Sequence, residues 1–209
     1  LRIMKDNFSV PRLSNIVRDP FKVLVRTVIS QSTAEVNTRR AYENLSRKML
    51  ITPKRLAEAD VAEIEDALKV AGLYRNKSRV LREIASQVLE RFNGSLDFVY
   101  SLPLDEARER LMTLPGVGPK TADIVLLFCA QRPTLPVDTH VNRVSKRLGF
   151  ASSNADYEGV RSALQRLYQP NEYFEAHMLF IALGRSYCKA QRPLHSSCPV
   201  SKLCPSAKI

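Results

Sequence analysis

Residues 114–130, LPGVGPKTADIVLLFCA, constrain the fold more tightly than any other stretch of the chain. Gly116 and Gly118 flank the small apolar Val117, so the backbone can bend sharply and expose consecutive amide N–H groups with no side chain in the way. Pro119 suits the first position of a helix, where its missing N–H costs nothing. If a helix then runs from Lys120 to Ala130, residues Ile124, Val125, Leu126, Leu127 and Phe128 point in every direction around its axis, and it must be buried on all sides. A buried strand is the competing reading of IVLLF, but the preceding turn and the scarcity of strand signals elsewhere favour the helix.

The remaining chain reads as short helices with short links. FKVLVRTVI, residues 21–29, has one apolar stripe, and helix resumes after a polar interruption at Ser30 to Thr33. Pro53 can open another helix. Val61, Ile64, Leu68 and Ala71 line a further one that is expected to stop at Gly72, and Val80 to Phe92 repeats the pattern before Asn93-Gly94 closes it. Pro103 to Met112 precedes the glycine turn. Arg132-Pro133-Thr134-Leu135-Pro136 is an extended link. Asp138 then caps a helix to about Leu148, with Val141, Val144 and Leu148 inward and Asn142, Arg143, Lys146 and Arg147 outward. Residues 157–168 and 172–184 are two more amphipathic helices, and residues 188–209 are loop-like and rich in cysteine. The expectation is an all-α protein of two helical lobes with a central cleft: residues 18–132, and residues 1–17 combined with 133–209.

Lys and Arg total 32 against 21 Asp and Glu, a net charge of +11, and such a field favours a polyanion, most commonly nucleic acid. No run of 18 apolar residues exists and the first residues lack the apolar block of a signal peptide, so the chain is expected in the cytosol or with the nucleoid, or in the nucleus of a eukaryote. A basic amphipathic helix at a terminus, as a membrane-surface role requires, is absent. A phosphate could sit against the glycine turn, helped by the helix dipole, and the turn would grip backbone without reading bases; the plainer reading is a helix–helix turn. Lys120 in a first helical turn opposes the dipole, which favours the neutral, nucleophilic amine. Asp138 is either an N-cap alone or also a carboxylate facing a cationic transition state.

LPGVGPKTADIVL (114–126), VDTHVNRV (137–144), LVRTVISQST (24–33) and VAGLYRNKS (70–78) together resemble the endonuclease III family of helix-hairpin-helix DNA glycosylases, in place and in order over nearly the whole chain. The resemblance implies that Lys120 attacks the sugar to form a Schiff base and that Asp138 assists departure of the base. It implies that Gln31 fills the gap left by an extruded base and that Leu73 intercalates; ordinary core packing is the plainer role for Leu73. A base must be flipped out of the duplex to be cut, and an apolar wedge supports the hole. Tyr74, Arg75, Asn76 and Lys77 could rest on phosphates, as could the backbone of Gly116, Val117 and Gly118. His140 and His177 are expected to pack or orient. The implied activity is removal of damaged bases, by default oxidised pyrimidines, from duplex DNA, with strand cleavage 3′ to the abasic site, by a monomer. A monofunctional uracil or thymine mismatch glycosylase of the same fold and a noncatalytic helix-hairpin-helix module are the alternatives; the adenine-specific branch adds a second recognition domain for which the chain after Cys204 leaves no room.

The family's iron-sulfur loop has four cysteines, and this chain carries Cys-x6-His-x2-Cys-x5-Cys: Cys188, Cys198 and Cys204 match three ligands, and His195 stands in the second place. Three outcomes are open: a [4Fe-4S] cluster with His195 as a ligand, Zn on three Cys and one His, or no metal. Lys189, Arg192 and Lys202 on this loop could meet phosphate. Cys129, inside the apolar run, stands apart from them.

Overall fold

The computed structural model describes residues 1–11, 13 and 18–208. Twelve α-helices are formed among them and no strand: α1 Arg2–Asn7, α2 Pro20–Ser30, α3 Glu35–Lys48, α4 Pro53–Glu58, α5 Val61–Leu68, α6 Tyr74–Phe92, α7 Phe98–Ser101, α8 Leu104–Met112, α9 Pro119–Ala130, α10 Thr139–Arg147, α11 Tyr157–Leu167 and α12 Tyr173–Ser186. The chain divides into one unit of residues 17–131 and another that combines 1–16 with 132–209. IVLLF is helical, as the glycine turn before it implies.

In the 17–131 unit, α9 packs against α2, α7 and α8, and α6 against α2, α4 and α5. Leu24, Leu45, Leu56, Ile64, Leu81, Ile84, Leu111 and Leu126 form a continuous core. Burying each such side chain contributes about 1.5–3 kcal/mol, less the entropy of ordering it. The α9 helix is buried at Val125, Leu126, Leu127 and Cys129, while the stripe of Lys120, Ile124 and Phe128, repeating every four residues, stays half-buried. Asp19 and Thr52 cap α2 and α4, each followed by a proline at the first helical position, as residue chemistry at those points dictates. The α5 helix ends at Leu68 rather than at Gly72, and α6 starts at Tyr74, earlier than its apolar repeat predicts, because its first turn is polar and carries no periodic signal. Asn93 at φ 50° and Gly94 at φ 75° close α6 in the left-handed region, as the Asn-Gly pair predicts.

In the other unit, α10 packs on α11 and α12, and α1 on α12. Val141, Val144, Val160, Leu164, Leu179, Phe180 and Leu183 are buried there. Phe180 lies edge-on to Tyr168 at 6.2 Å and tilted against Phe150 at 6.1 Å. After α12 the chain runs as turns with one short 3-10 stretch, Ser201–Leu203.

Candidate functional site

Three loops of the 17–131 unit are joined directly. Past the end of α2, the Gln31 side-chain amide donates to Gly116 O at 3.1 Å, tying residue 31 to the glycine turn. The Lys77 ammonium, in the first turn of α6, donates to Ile29 O at 2.8 Å and to Thr33 Oγ1 at 2.5 Å, and the Thr33 hydroxyl donates in turn to Gln31 O at 3.2 Å. A Cβ on Gly72 would lie 3.0 Å from Ser32 O, so the α5–α6 loop and the α2–α3 loop touch backbone to backbone, and glycine is what permits it. Lys77 was expected to reach phosphate, and here the structure corrects the sequence. Its side chain is 4 % exposed, burial lowers its pKa, and two internal acceptors hold its ammonium inward.

Leu73 points the other way. It precedes α6 at φ 58° and ψ 30°, a conformation that costs a leucine about 1–2 kcal/mol, and it is 66 % exposed, so it is not packed in the core. Arg75 and Asn76 beside it are exposed, Tyr74 is half-buried, and the Arg75 guanidinium lies 5.6 Å from the Tyr74 ring centre.

Gly116 makes the tight bend at φ 69°, and a Cβ there would press on Val80 Cγ1 at 3.1 Å. Gly118 has an ordinary φ of −93°, and a Cβ would meet nothing within 4 Å. Nothing inside the protein requires glycine at 118; its smallness keeps the start of α9 uncovered. The Val117 N–H donates to Leu114 O at 3.2 Å and is spent inside the turn, whereas Gly116 and Gly118 make no such backbone bond among the described residues. Lys120, in the first turn of α9, is half-buried. The two hairpin helices are locked by Arg108 of α8, which forms a two-pronged pair with the fully buried Asp123 of α9 at 2.9 and 3.2 Å. An acid inside an otherwise apolar helix needs a partner, so TADIVLLF carries the signal for this pair, which apolar periodicity alone overlooks.

In the other unit, the extended link is fixed by side chains of α11 and α12. The His177 Nδ1–H donates to Pro136 O at 2.9 Å, the Gln165 amide to Pro133 O at 3.0 Å and the Arg161 guanidinium to Thr134 Oγ1 at 3.4 Å, while Tyr157 Oη accepts from Val137 N at 3.4 Å. This link delivers Asp138 to the head of α10, where its Oδ1 accepts from Val141 N at 2.8 Å; the cap is worth about 1 kcal/mol. His177 is buried, as its surroundings predict. His140 Nδ1 accepts from Arg143 Nη2 at 3.0 Å, and burial lowers its pKa, with Arg143 and Arg185 adding to that and Asp138 opposing. A Cβ on Gly184 would come within 2.9 Å of His140 Cβ, so glycine sets how closely α12 approaches α10.

Arg143 and Arg147, expected to point outward, instead dock the cysteine loop on α10. Arg143 Nε donates to Cys188 O at 2.8 Å; Arg147 donates to Lys189 O at 2.6 Å, to Ala190 O at 3.0 Å and to Cys188 Sγ at 3.5 Å. Carbonyls presented by a loop far along the chain capture guanidiniums that local periodicity assigns to solvent. Cys188, His195, Cys198 and Cys204 line one pocket. Burial pushes the Cys198 thiol up, and the neighbouring Cys188 and Cys204 push it the same way. No three such donors converge closely enough for a single metal ion among the described residues. His195 Nδ1 accepts from Lys208 N at 2.9 Å. Lys189, Arg192 and Lys202 are exposed.

The model of the HhH-GPD superfamily of base excision DNA repair proteins matches residues 25–170. Endonuclease III of Thermotoga maritima is 36% identical over 186 residues, covering 89% of this chain and 83% of that protein; endonuclease III of Sulfolobus acidocaldarius is 32% identical over 188 residues, covering 90% and 82%. A trapped covalent intermediate of an endonuclease III with DNA matches in structure with a TM-score of 0.84 and 33% identity, over 98% of this chain and 92% of that one. A thermostable thymine-DNA glycosylase, at 20% identity and a TM-score of 0.82 over 99% and 92% of the two chains, shares the fold. A helical chain with a glycine hairpin opening a buried helix, alike in sequence and structure over most of its length, belongs to the endonuclease III family within the HhH-GPD superfamily.

Proposed function

We propose that this protein excises damaged bases, oxidised pyrimidines by default, from duplex DNA and then cuts the strand 3′ to the abasic site. The observation that carries this reading is the direct joining of the Gln31 loop, the Leu73 loop and the glycine hairpin, with Leu73 held apolar, strained and exposed. Strained backbone and exposed apolar surface persist where function requires them. A leucine so placed enters the base stack, and Gln31 offers hydrogen bonds to the base left without a partner. The uncovered amides of Gly116 and Gly118, at the start of α9, bind a phosphate oxygen.

Lys120 acts as the nucleophile. As the glycosidic bond of the flipped nucleotide breaks, the base departs with the bonding electrons and is protonated, and the neutral amine bonds to C1′. Asp138 stabilises the positive charge on the sugar or takes the proton released by the amine. The ring oxygen then takes up a proton as the sugar opens to the iminium, and loss of a C2′ proton expels the 3′ phosphate. The related enzyme trapped in covalent union with DNA supports this route.

The endonuclease III family generally carries a [4Fe-4S] cluster. Cys188, Cys198 and Cys204 line one pocket at three of the family's four ligand positions, and these thiols would hold such a group. When bound, the group cross-links the loop and can carry an electron; the base chemistry needs only Lys120 and Asp138.

Borohydride trapping on duplexes carrying thymine glycol, a uracil mismatch or an abasic site tests the reading. The wild type is expected to give strand cleavage and a covalent adduct on thymine glycol, and K120Q neither. An undiminished adduct in K120Q rejects Lys120, base loss from the mismatch without cleavage favours the monofunctional enzyme, and binding without either reaction favours the noncatalytic module.

A further inference from the structure

We propose that His195 does not ligate the metal group: Cys188, Cys198 and Cys204 hold a [4Fe-4S] cluster through three of its irons, and the fourth iron is open to a small anion such as hydroxide or an added thiolate. The inference rests on the reading of the cysteine loop as an iron-sulfur site and concerns the one position where this chain departs from the four-cysteine pattern.

The polarity of a single hydrogen bond carries it. Lys208 N lies 2.9 Å from His195 Nδ1, and a backbone N–H can only donate, so Nδ1 is unprotonated and its lone pair is in use. The neutral ring therefore has its hydrogen on Nε2. Ligation through Nε2 would require the ring to become an imidazolate, or the proton to move to Nδ1 at the expense of the Lys208 bond. Histidines that bind metals show the opposite arrangement, with the second nitrogen donating to a carbonyl, a carboxylate or water. His195 instead holds the segment after Cys204 in place. With Ala207 N bonded to Cys204 O at 3.0 Å, the Lys208 bond folds the segment after Cys204 back over the pocket that His195 and the three cysteines line. To a bound cluster the ring offers a donor, the Nε2–H, which suits sulfur and cannot bind iron.

A cubane iron without a protein ligand is labile. One-electron oxidation by ferricyanide takes the [4Fe-4S] cluster to an unstable state that sheds one ferrous ion, captured by EDTA, and leaves [3Fe-4S].

The full chain, reconstituted anaerobically with ferrous iron and sulfide, is treated in this way and followed by iron analysis and electron paramagnetic resonance, beside H195A and H195C. The wild type and H195A are expected to release one iron of the four and to show the [3Fe-4S] signal, while H195C, with a fourth thiolate, keeps all its iron. Pulsed resonance on the reduced wild-type cluster, with 15N-labelled histidine, is expected to show no directly bonded nitrogen. A strongly coupled histidine nitrogen, or resistance in the wild type that H195A abolishes, overturns the inference and leaves the cluster reading intact. A colourless, iron-free wild type overturns both.

Discussion

Leu73 and Lys77 sit four positions apart at the start of α6 and take opposite fates. The ammonium goes inward because two acceptors wait there, and the isobutyl group goes outward into water. Leucine in the left-handed region at φ 58° is a conformation that glycine adopts without strain. The substitution L73G is therefore expected to raise the free energy of unfolding by about 1 kcal/mol in urea titrations, since the strain it relieves slightly exceeds the added chain entropy. The same change removes the proposed wedge and should lower kcat/KM on a damaged duplex by about tenfold or more, equivalent to about 1.4 kcal/mol. A protein that gains stability and keeps its full rate would exclude Leu73 from base extrusion.

At the scale of one helix, α10 carries two duties at its two ends: Asp138 at its head, and the arginines that dock the cysteine loop toward its tail. His140 lies between, against Gly184 of α12, with Arg143 donating to its Nδ1. Burial and the adjacent arginines keep its pKa below the ordinary value of about 6.5. Just below that pH the unfolded chain binds a proton that the folded chain refuses, so stability falls as the solution is acidified. An asparagine at 140 can still accept from Arg143 and does not titrate. H140N is expected to be the less stable protein at about pH 7.5, and its deficit should shrink toward about pH 5.5, because only the wild type loses this increment. A deficit that stays constant across that range in urea titrations would rule out a neutral, half-buried His140.

At the scale of the molecule, the excess of 32 Lys and Arg over 21 Asp and Glu makes DNA binding a matter of counterion release. Affinity for undamaged duplex is expected to fall by at least about 100-fold between about 50 and 200 mM salt, as for a protein that neutralises several phosphates. The preference for a damaged duplex over an undamaged one should change far less, because the proposed Leu73 insertion and base capture would release few ions. Fluorescence anisotropy on the two duplexes measures both, and a preference that decays as steeply as the affinity would place discrimination in the charge and not in the wedge.

Much of the helical architecture is written locally. Asp19, Thr52 and Asp138 cap the helices that follow them, Asn93-Gly94 ends α6, and the glycine-proline turn opens an apolar α9, because capping, turning and apolar periodicity act over about one helical turn. Those rules equally put Lys120 in the first turn of α9, Asp138 at the cap of α10 and His177 in the interior. They could not say where long side chains end, since the acceptors lie far along the chain. Lys77 finds a carbonyl at Ile29, Arg147 finds those of Lys189 and Ala190, and Gln31 reaches Gly116. A charge that leaves water needs a partner of the right kind at bonding distance, and packing alone brings such partners together. Neighbouring residues in the sequence therefore offer Lys77 to a phosphate, and the family's loop spacing offers His195 to a metal group, whereas in the assembled chain the Lys77 ammonium donates to Ile29 O and the His195 Nδ1 accepts from Lys208 N, partners that no local pattern names.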